Sequence, residues 1–300
     1  MISQLAEKFP QIHYNPEQPA AMVLDTDTYN EIDDQFALIY AIVSSKINLL
    51  GVTAAPFFNE RSSGPADGME KSFHEIEHIL RLTGRNARIP AFRGALQFQQ
   101  ETGAPVDSPA ARFLISQAHR CAERGETLFV CGIAALTNIA AALQLAPEIR
   151  DMIVVIWLGG HELSVRDNPR EFNLQGDIAA ARMVFDCGVP LVQVPCCHVA
   201  EKLNMTSLEL KRNLPGSPVG HYLQTIFDDY LNERNITDKV IWDIGAVSCL
   251  ALPGAGEWEC VHRPELHGDC TWSESTSRPL MIQIRRLDCD RIFADFFHSL

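Results

Sequence analysis

Four aspartates lie where a buried strand gives way to a helix, and this segment constrains the fold most. The apolar run Ala21–Leu24 is typical of a strand buried on both faces. It is followed by Asp25, Asp27, Asp33 and Asp34, after which apolar residues recur at a helical period. Because ligands in open α/β sheets bind at the carboxyl ends of strands, the segment predicts a carboxylate site at that edge.

Strand-like and helical segments alternate along the chain. Strands are predicted at 21–24, 47–55, 88–92, 127–131, 152–158, 190–194 and 280–284. Helices are predicted from 32 to about 45 and at about 68–82, 110–124, 137–145, 177–187, 219–233, 243–250 and 290–298. Apolar strands separated by such helices indicate an α/β fold. We expect an open, mainly parallel Rossmann-like sheet with helices on both faces and a helical C-terminal part.

Composition limits the kind of partner. No linker-like stretch divides the 300 residues, so we expect a single domain over 1–300. A net charge of −13 with scattered Lys and Arg argues against nucleic acid. The sequence has no apolar run of membrane-spanning length, no apparent secretory signal and no CxxC pair among nine cysteines. We therefore expect a cytoplasmic protein that binds a small molecule and no membrane.

The aspartates favour a metal site over ordinary surface acids. Asp33 and Asp34 alone would fit the first turn of a helix, where the macrodipole favours acidic residues. Asp25 and Asp27 have no such explanation, since unpaired charges at the end of a buried strand are costly. Ca²⁺ prefers six to eight oxygen ligands, of which Asp27 and Asp34 can supply two. Asp25 and Asp33 then remain for support and for substrate.

Three other motifs compete with this interpretation. An EF-hand loop starting at Asp25 is excluded, because Asn30 and Phe36 stand where it needs Gly and Glu. A haloacid-dehalogenase-type phosphatase shares the strand and Asp-x-Asp and stays open as a minor alternative. His74 and His78 match the His-Glu-x-x-His zinc-protease pattern, but no obvious third ligand follows. A zinc metallopeptidase is therefore also a minor alternative.

Several segments in register resemble the inosine-uridine-preferring nucleoside hydrolases. The aspartate loop is similar to the family signature Asp-x-Asp-Pro-Gly-x-Asp-Asp, and Asn59 follows the second strand as the family's Gly-Asn does. Further similar segments are Gly132–Ala140, Leu158–Gly160, Glu171–Asn173 and Asp177–Arg182. The resemblance implies a nucleoside hydrolase fold, Ca²⁺-dependent hydrolysis of the N-glycosidic bond of ribonucleosides, and a homodimer or homotetramer.

The resemblance also implies roles for individual residues. The implied Ca²⁺ ligands are Asp27, Asp34, Asp243 and the main-chain carbonyl of Ile133. The implied ribose-binding residues are Asp33, Asn59, Glu171 and Asn173, with Asp25 in support. Asp27 would also act as the general base toward a metal-activated water, in a direct displacement without a covalent intermediate.

The loop and the leaving-group side depart from the family pattern. Two extra residues separate Asp27 from Asp33. Trp242 stands before Asp243, where the family often has a histidine that protonates the leaving base. Trp242 is predicted to line the pocket and stack on a purine, and the alternative is that it fills the core. Loss of that histidine leaves a nucleoside- or ribose-binding protein without turnover as the alternative.

Two further polar residues are weaker candidates for the site. His161 directly follows the Gly159–Gly160 pair at a strand end. The segment before Glu171 is shorter by one residue than in the family, so Asn168 is one of two residues that could replace a family asparagine there.

Overall fold

The strands form one main sheet and two small ones. The computed structural model describes residue 15, residues 17–165 and residues 170–300. Its strands are β1 (Ala20–Thr26), β2 (Ile47–Ala54), β3 (Ala91–Arg93), β4 (Leu128–Gly132), β5 (Ile153–Leu158), β6 (Leu191–Val194), β7 (Asn204–Thr206), β8 (Asp238–Val240), β9 (Gly256–His262), β10 (Glu265–Leu266), β11 (Trp272–Ser273) and β12 (Leu280–Leu287). Within the described residues, eight of them form the main sheet, and β7 with β8 and β10 with β11 form two-stranded sheets.

The main sheet has the order β3-β2-β1-β4-β5-β6-β12-β9. Its neighbouring strands run parallel, except that β9 is antiparallel to β12. The mainly parallel sheet is therefore as predicted. From β1 the chain moves outward to β2 and β3 and then returns to β4 on the other side of β1. A ligand crevice is expected at such a switch point, between the carboxyl ends of β1 and β4.

Helices cover both faces of this sheet. They are α1 (Asp33–Val43), α2 (Pro65–Leu82), α3 (Gln99–Thr102), α4 (Pro109–Glu123), α5 (Thr137–Leu145), α6 (Phe172–Gly176), α7 (Ile178–Asp186), α8 (Ser207–Asn213), α9 (Pro218–Arg234), α10 (Ile244–Ala251) and α11 (Cys289–Ser299). Among the described residues, no helix combines the length and the apolar character needed to cross a membrane.

The apolar character of β1 follows from its position between two cores. Alternate side chains of a strand point to opposite faces, so a strand covered on both sides must be apolar throughout. Met22 and Leu24 lie in one core, with α1, α2, α9, α10 and α11. Ala21 and Val23 lie in the other, with α4, α5 and α7.

The C-terminal third contains the predicted helices and also strands that the apolar pattern did not predict. β9 is an edge strand whose side chains alternate between exposed and half-buried. Its sequence is accordingly mixed, because a strand with one solvated face needs apolar side chains only on the other face. The short strand β8, which contains Lys239, was not predicted either.

Candidate active site

Most of the predicted site residues line one cavity at the carboxyl ends of the central strands. This cavity has a volume of about 470 Å³. The predicted residues among its lining are Asp27, Asp33, Asp34, Asn59, Ile133, His161, Glu171, Asn173, Trp242 and Asp243. Asn168 lies outside the described residues. The fold thus brings together segments that are far apart in the sequence.

Four carboxylates in this cavity form a buried acidic cluster. Among the described residues, Asp33, Asp34 and Asp243 form the one group of His, Cys, Asp or Glu that could hold a metal ion, with ligand oxygens all within 4.8 Å of one another. Asp27 lines the same cavity at 1% exposure, and neither of its carboxylate oxygens has a hydrogen-bond partner. A buried carboxylate without a partner is costly, so the donor set fits a hard cation that prefers oxygen ligands.

Burial, and after it mutual repulsion, raises the pKa values of these carboxyl groups. Burial, followed by the charges of Asp34 and Asp33, raises the pKa of Asp27 well above its usual value. Burial and the charge of Asp33 raise the pKa of Asp34 to about 8, although the Thr26 hydroxyl donates a hydrogen bond to it. Burial, followed by the charges of Asp33, Asp34 and Asp27, raises the pKa of Asp243. A bound cation would favour the ionised carboxylates and reverse these shifts.

These shifts predict that the metal-stripped protein loses stability as the pH rises from about 4 to about 8. The unfolded carboxyls ionise near 3.8, whereas the folded-state pKa is about 6 for Asp25 and about 8 for Asp34. The folded state therefore binds more protons in this window, and raising the pH favours unfolding. Thermal melts of the chelated protein at several pH values measure this trend. A melting temperature that rises across the window would contradict it.

Asp25, which was predicted to support the site, is fully buried near the end of β1. Its Oδ1 accepts hydrogen bonds from the Thr53 hydroxyl (2.6 Å) and from Asn138 Nδ2 (2.8 Å). Asn138 Nδ2 also donates to the Ala54 carbonyl at 3.1 Å, and its Oδ1 accepts from the Ala95 N–H at 2.9 Å. Asn138 was not among the predicted site residues, although it lies in one of the segments that resemble the family.

Gly94 completes this contact with Asn138. A Cβ at Gly94 would lie 2.0 Å from the Ala54 carbonyl oxygen and 2.6 Å from Asn138 Nδ2. Because no side chain fits in that space, glycine is required for the close approach of the two segments.

Two further predicted metal ligands, Ile133 and Asp243, lie next to the end of a strand and the start of a helix, respectively. Ile133 follows β4, lines the cavity, and donates its N–H to the Asp25 carbonyl oxygen at 2.9 Å. Asp243 lies directly before α10 and is buried. Its neighbour Trp242 is half-buried and lines the cavity beside it.

Glu171 and Asn173 are tied to the main chain of their own loop. Glu171 caps α6, and its carboxylate accepts from the N–H groups of Gly160 (2.7 Å), Asn173 (2.9 Å) and Leu174 (2.9 Å). Asn173 Nδ2 donates to the Leu158 carbonyl at 3.0 Å. These bonds fix both side chains at the cavity, and for Glu171 they occupy much of its acceptor capacity.

His161 is buried at the end of β5 and lines the cavity. Its Nδ1 accepts from the Cys197 N–H at 3.4 Å, and burial lowers its pKa. A neutral imidazole is therefore favoured at this position.

Sequence reasoning missed the partners of the longer loop. Asn59 Nδ2 donates to Asn30 Oδ1 at 2.6 Å. Lys239, in β8, is buried with its ammonium 3.3 Å from Asp33 Oδ1 and 2.7 Å from Glu31 Oε2. Burial opposes its charged form, but the two carboxylates hold the pKa of Lys239 above its usual value. The available signal was weak: a single Lys in the apolar stretch before Asp243.

The His-Glu-x-x-His motif lies on α2 and is not arranged as a metal site. The His74 side chain is 63% exposed, with ring nitrogens 3.2 Å from Glu70 and 3.6 Å from Glu77. The His78 ring packs against Tyr222, with centroids 5.3 Å apart. Both histidines therefore belong to the outer side of an amphipathic helix.

Comparisons with known proteins agree on one family. The sequence profile of the inosine-uridine preferring nucleoside hydrolases matches residues 22–285. The chain is 30% identical over 237 residues to probable uridine nucleosidase 2 of Arabidopsis thaliana. The matched region covers 70% of this chain and 69% of that protein. It is 26% identical over 225 residues to the pyrimidine-specific ribonucleoside hydrolase RihA of Citrobacter koseri, covering 66% of this chain and 68% of the relative.

The fold leads to the same group of proteins. A purine-preferring ribonucleoside hydrolase from Gardnerella vaginalis superimposes with a TM-score of 0.74 at 20% sequence identity, covering 93% of this chain and 98% of that one. The phosphatase and zinc-peptidase alternatives are thereby set aside. The chain belongs to the inosine-uridine preferring nucleoside hydrolase family and is an N-ribosyl hydrolase.

Proposed function

We propose that this protein hydrolyses the N-glycosidic bond of ribonucleosides with Ca²⁺ as its cofactor, by direct attack of water on C1′ of the ribose. The observation that carries the proposal is Asp27, whose two buried carboxylate oxygens have no hydrogen-bond partner and which lines the same cavity as Asp33, Asp34 and Asp243. Asp27, Asp34, Asp243 and the carbonyl of Ile133 would hold the ion. When bound, Ca²⁺ would orient the attacking water and make it more acidic.

The protein's own groups would then carry the proton and the charge. Asp27 would act as general base and take the proton from the water while the C1′–N bond breaks. The nucleobase would depart with the electron pair of that bond. Cleavage of a glycosidic bond passes through an oxocarbenium-like state with positive charge on the sugar. The carboxylates around the cavity favour that charge electrostatically.

The ribose would be held by groups at fixed positions around the cavity. A triol offers hydroxyls that both donate and accept, and carboxylate and amide groups are suited to bind them. The residues that support this assignment are Asp33, Asn59, Glu171 and Asn173, all of which line the cavity. Glu171 and Asn173 are fixed by main-chain bonds, which lowers the entropic cost of binding the sugar.

Trp242 and His161 also line the cavity, and we propose that they face the leaving base. The Trp242 ring would stack on the base, since a half-buried indole offers a flat apolar surface. The relatives named above include a uridine nucleosidase, a pyrimidine-specific enzyme and a purine-preferring one. The assay should therefore include both purine and pyrimidine nucleosides. The family likeness also supports a homodimer or homotetramer, which light scattering would measure.

The direct test is release of free ribose. The metal-stripped protein, incubated with inosine, uridine and cytidine, should release reducing sugar only after Ca²⁺ is added, and a chelator should abolish the release. Parallel reactions with Mg²⁺ and Zn²⁺ test the identity of the ion. If no nucleoside yields ribose although calorimetry shows bound Ca²⁺, the proposed reaction is wrong; ribose release with Mg²⁺ but not Ca²⁺ would correct the cofactor alone.

A further inference from the structure

A buried cation lies beside the acidic cluster. Lys239 is 6% exposed, and its ammonium lies 2.7 Å from Glu31 Oε2 and 3.3 Å from Asp33 Oδ1. It also donates to the main-chain carbonyl of Val240 at 2.8 Å. An ammonium has three N–H donors, so these three acceptors use it fully. Because a buried charge is costly unless it is paired, the ammonium of Lys239 depends on these three acceptors.

The longer loop supplies the counter-charge that holds Lys239. Glu31 belongs to the segment that contains the two extra residues between Asp27 and Asp33. Its Oε1 accepts from the Tyr230 hydroxyl at 2.8 Å, and its main-chain carbonyl accepts from Arg61 at 3.2 Å. Glu31 is thus fixed through its side chain and its main chain.

The same segment also fixes a second proposed ribose-binding residue. Asn30 Oδ1 accepts from Asn59 Nδ2 at 2.6 Å, and Asn59 Oδ1 accepts from the Arg61 N–H at 2.9 Å. The longer loop therefore reaches Asn59 directly and Asp33 through Lys239.

Asp33 could in principle serve either the metal or the sugar. Its ligand oxygen lies within 4.8 Å of those of Asp34 and Asp243, so by distance alone it is a candidate metal ligand. The ion pair with Lys239 engages Oδ1 of Asp33 and leaves the second oxygen for another partner. A neighbouring ammonium also weakens the attraction of that carboxylate for a cation.

We infer that Lys239 is a positioning residue which, held by Glu31, keeps Asp33 off the metal and presents it to a ribose hydroxyl. This inference rests on the proposed function. It assigns the two extra loop residues a purpose: they bring Glu31 to the ammonium.

The substitution Lys239→Met separates the two roles of Asp33, since methionine has a similar length and no charge. Without the ammonium, Asp33 can join the metal and the cluster is more negative, so Ca²⁺ should bind at least about threefold more tightly. The grip on the ribose is lost at the same time, and kcat/KM should fall about tenfold or more, the scale of one hydrogen bond to a charged group. Calorimetric Ca²⁺ titration and steady-state kinetics measure the two effects.

Two further variants make the result specific. Glu31→Gln removes a negative charge instead, so Ca²⁺ binding should weaken by about twofold or more while kcat/KM also falls. Lys202→Met makes the same chemical change at an exposed pair, where Lys202 lies 3.1 Å from Glu201 with its side chain 63% exposed, and should change neither quantity. If Lys239→Met does not fold, Lys239→Gln removes the same charge and keeps a hydrogen-bond donor, and its titration and kinetics are held to the same expectations.

Unchanged or weaker Ca²⁺ binding in Lys239→Met, or a kcat/KM within about twofold of wild type, would overturn the inference. A purely structural lysine would instead weaken Ca²⁺ binding in Lys239→Met, together with a lower melting temperature. If the wild-type protein hydrolyses no nucleoside, the proposed function fails by itself. The Ca²⁺ titrations would still show whether Lys239 keeps Asp33 from the metal.

Discussion

Replacing Asp27 by asparagine should lower kcat by at least about a hundredfold at saturating Ca²⁺, while the fold is retained. A hundredfold corresponds to about 2.7 kcal/mol, the usual scale for loss of a general base. The amide has nearly the same shape as the carboxylate but cannot accept the proton of the attacking water. The measurement is kcat for ribose release, together with circular dichroism to verify the fold.

A matched control for this variant is Asp151→Asn. Asp151 makes an exposed ion pair with Arg150 and lies two residues before β5, at the amino end of a strand whose carboxyl end faces the cavity. The same chemical change there should leave kcat within about twofold of wild type. Near-normal turnover in Asp27→Asn would remove Asp27 from its role as base and leave it as a metal ligand at most.

The substitution Asp243→Asn should abolish the stabilisation of the protein by Ca²⁺ and lower kcat/KM by at least about a thousandfold. A bound metal contributes several kcal/mol of transition-state stabilisation, and each 1.36 kcal/mol is a factor of ten. Ligand binding to the folded state alone raises the melting temperature. Melts with and without Ca²⁺ should therefore coincide for the variant and differ for the wild type.

The same variant should gain stability when no metal is present. Asp243 is buried among like charges, and burial and those charges raise its pKa. Removing one of four mutually repelling carboxylates relieves that repulsion, so the chelated variant should melt at or above the temperature of the chelated wild type. A lower melting temperature in the chelated variant would show that Asp243 stabilises the fold by another route.

The sequence predicted the sheet where burial on both faces leaves a continuous apolar run, as in β1. It failed for β9, because an edge strand with one solvated face has no such run. It also placed Asp27 and Asp243 near each other only through the family resemblance. Local pattern cannot reveal that two residues far apart along the chain line the same cavity.

Lys239 shows a second limit of the sequence. Its meaning depends on Glu31 and Asp33 reaching the same point in space, and no spacing rule connects β8 with the first loop. The two extra loop residues showed where the sequence differs from the family. That the loop pairs with Lys239 is visible only in the three-dimensional structure.

Asn138 has a consequence for how such a protein can diversify. Its single amide group connects Asp25 of β1, Ala54 of β2 and Ala95 beyond β3, so these three segments are held together by bonds that do not involve the residues lining the cavity. Changes at the rim, at Trp242 for instance, can then alter which base is accepted without loosening that foundation. Catalysis and substrate choice would evolve as separable modules.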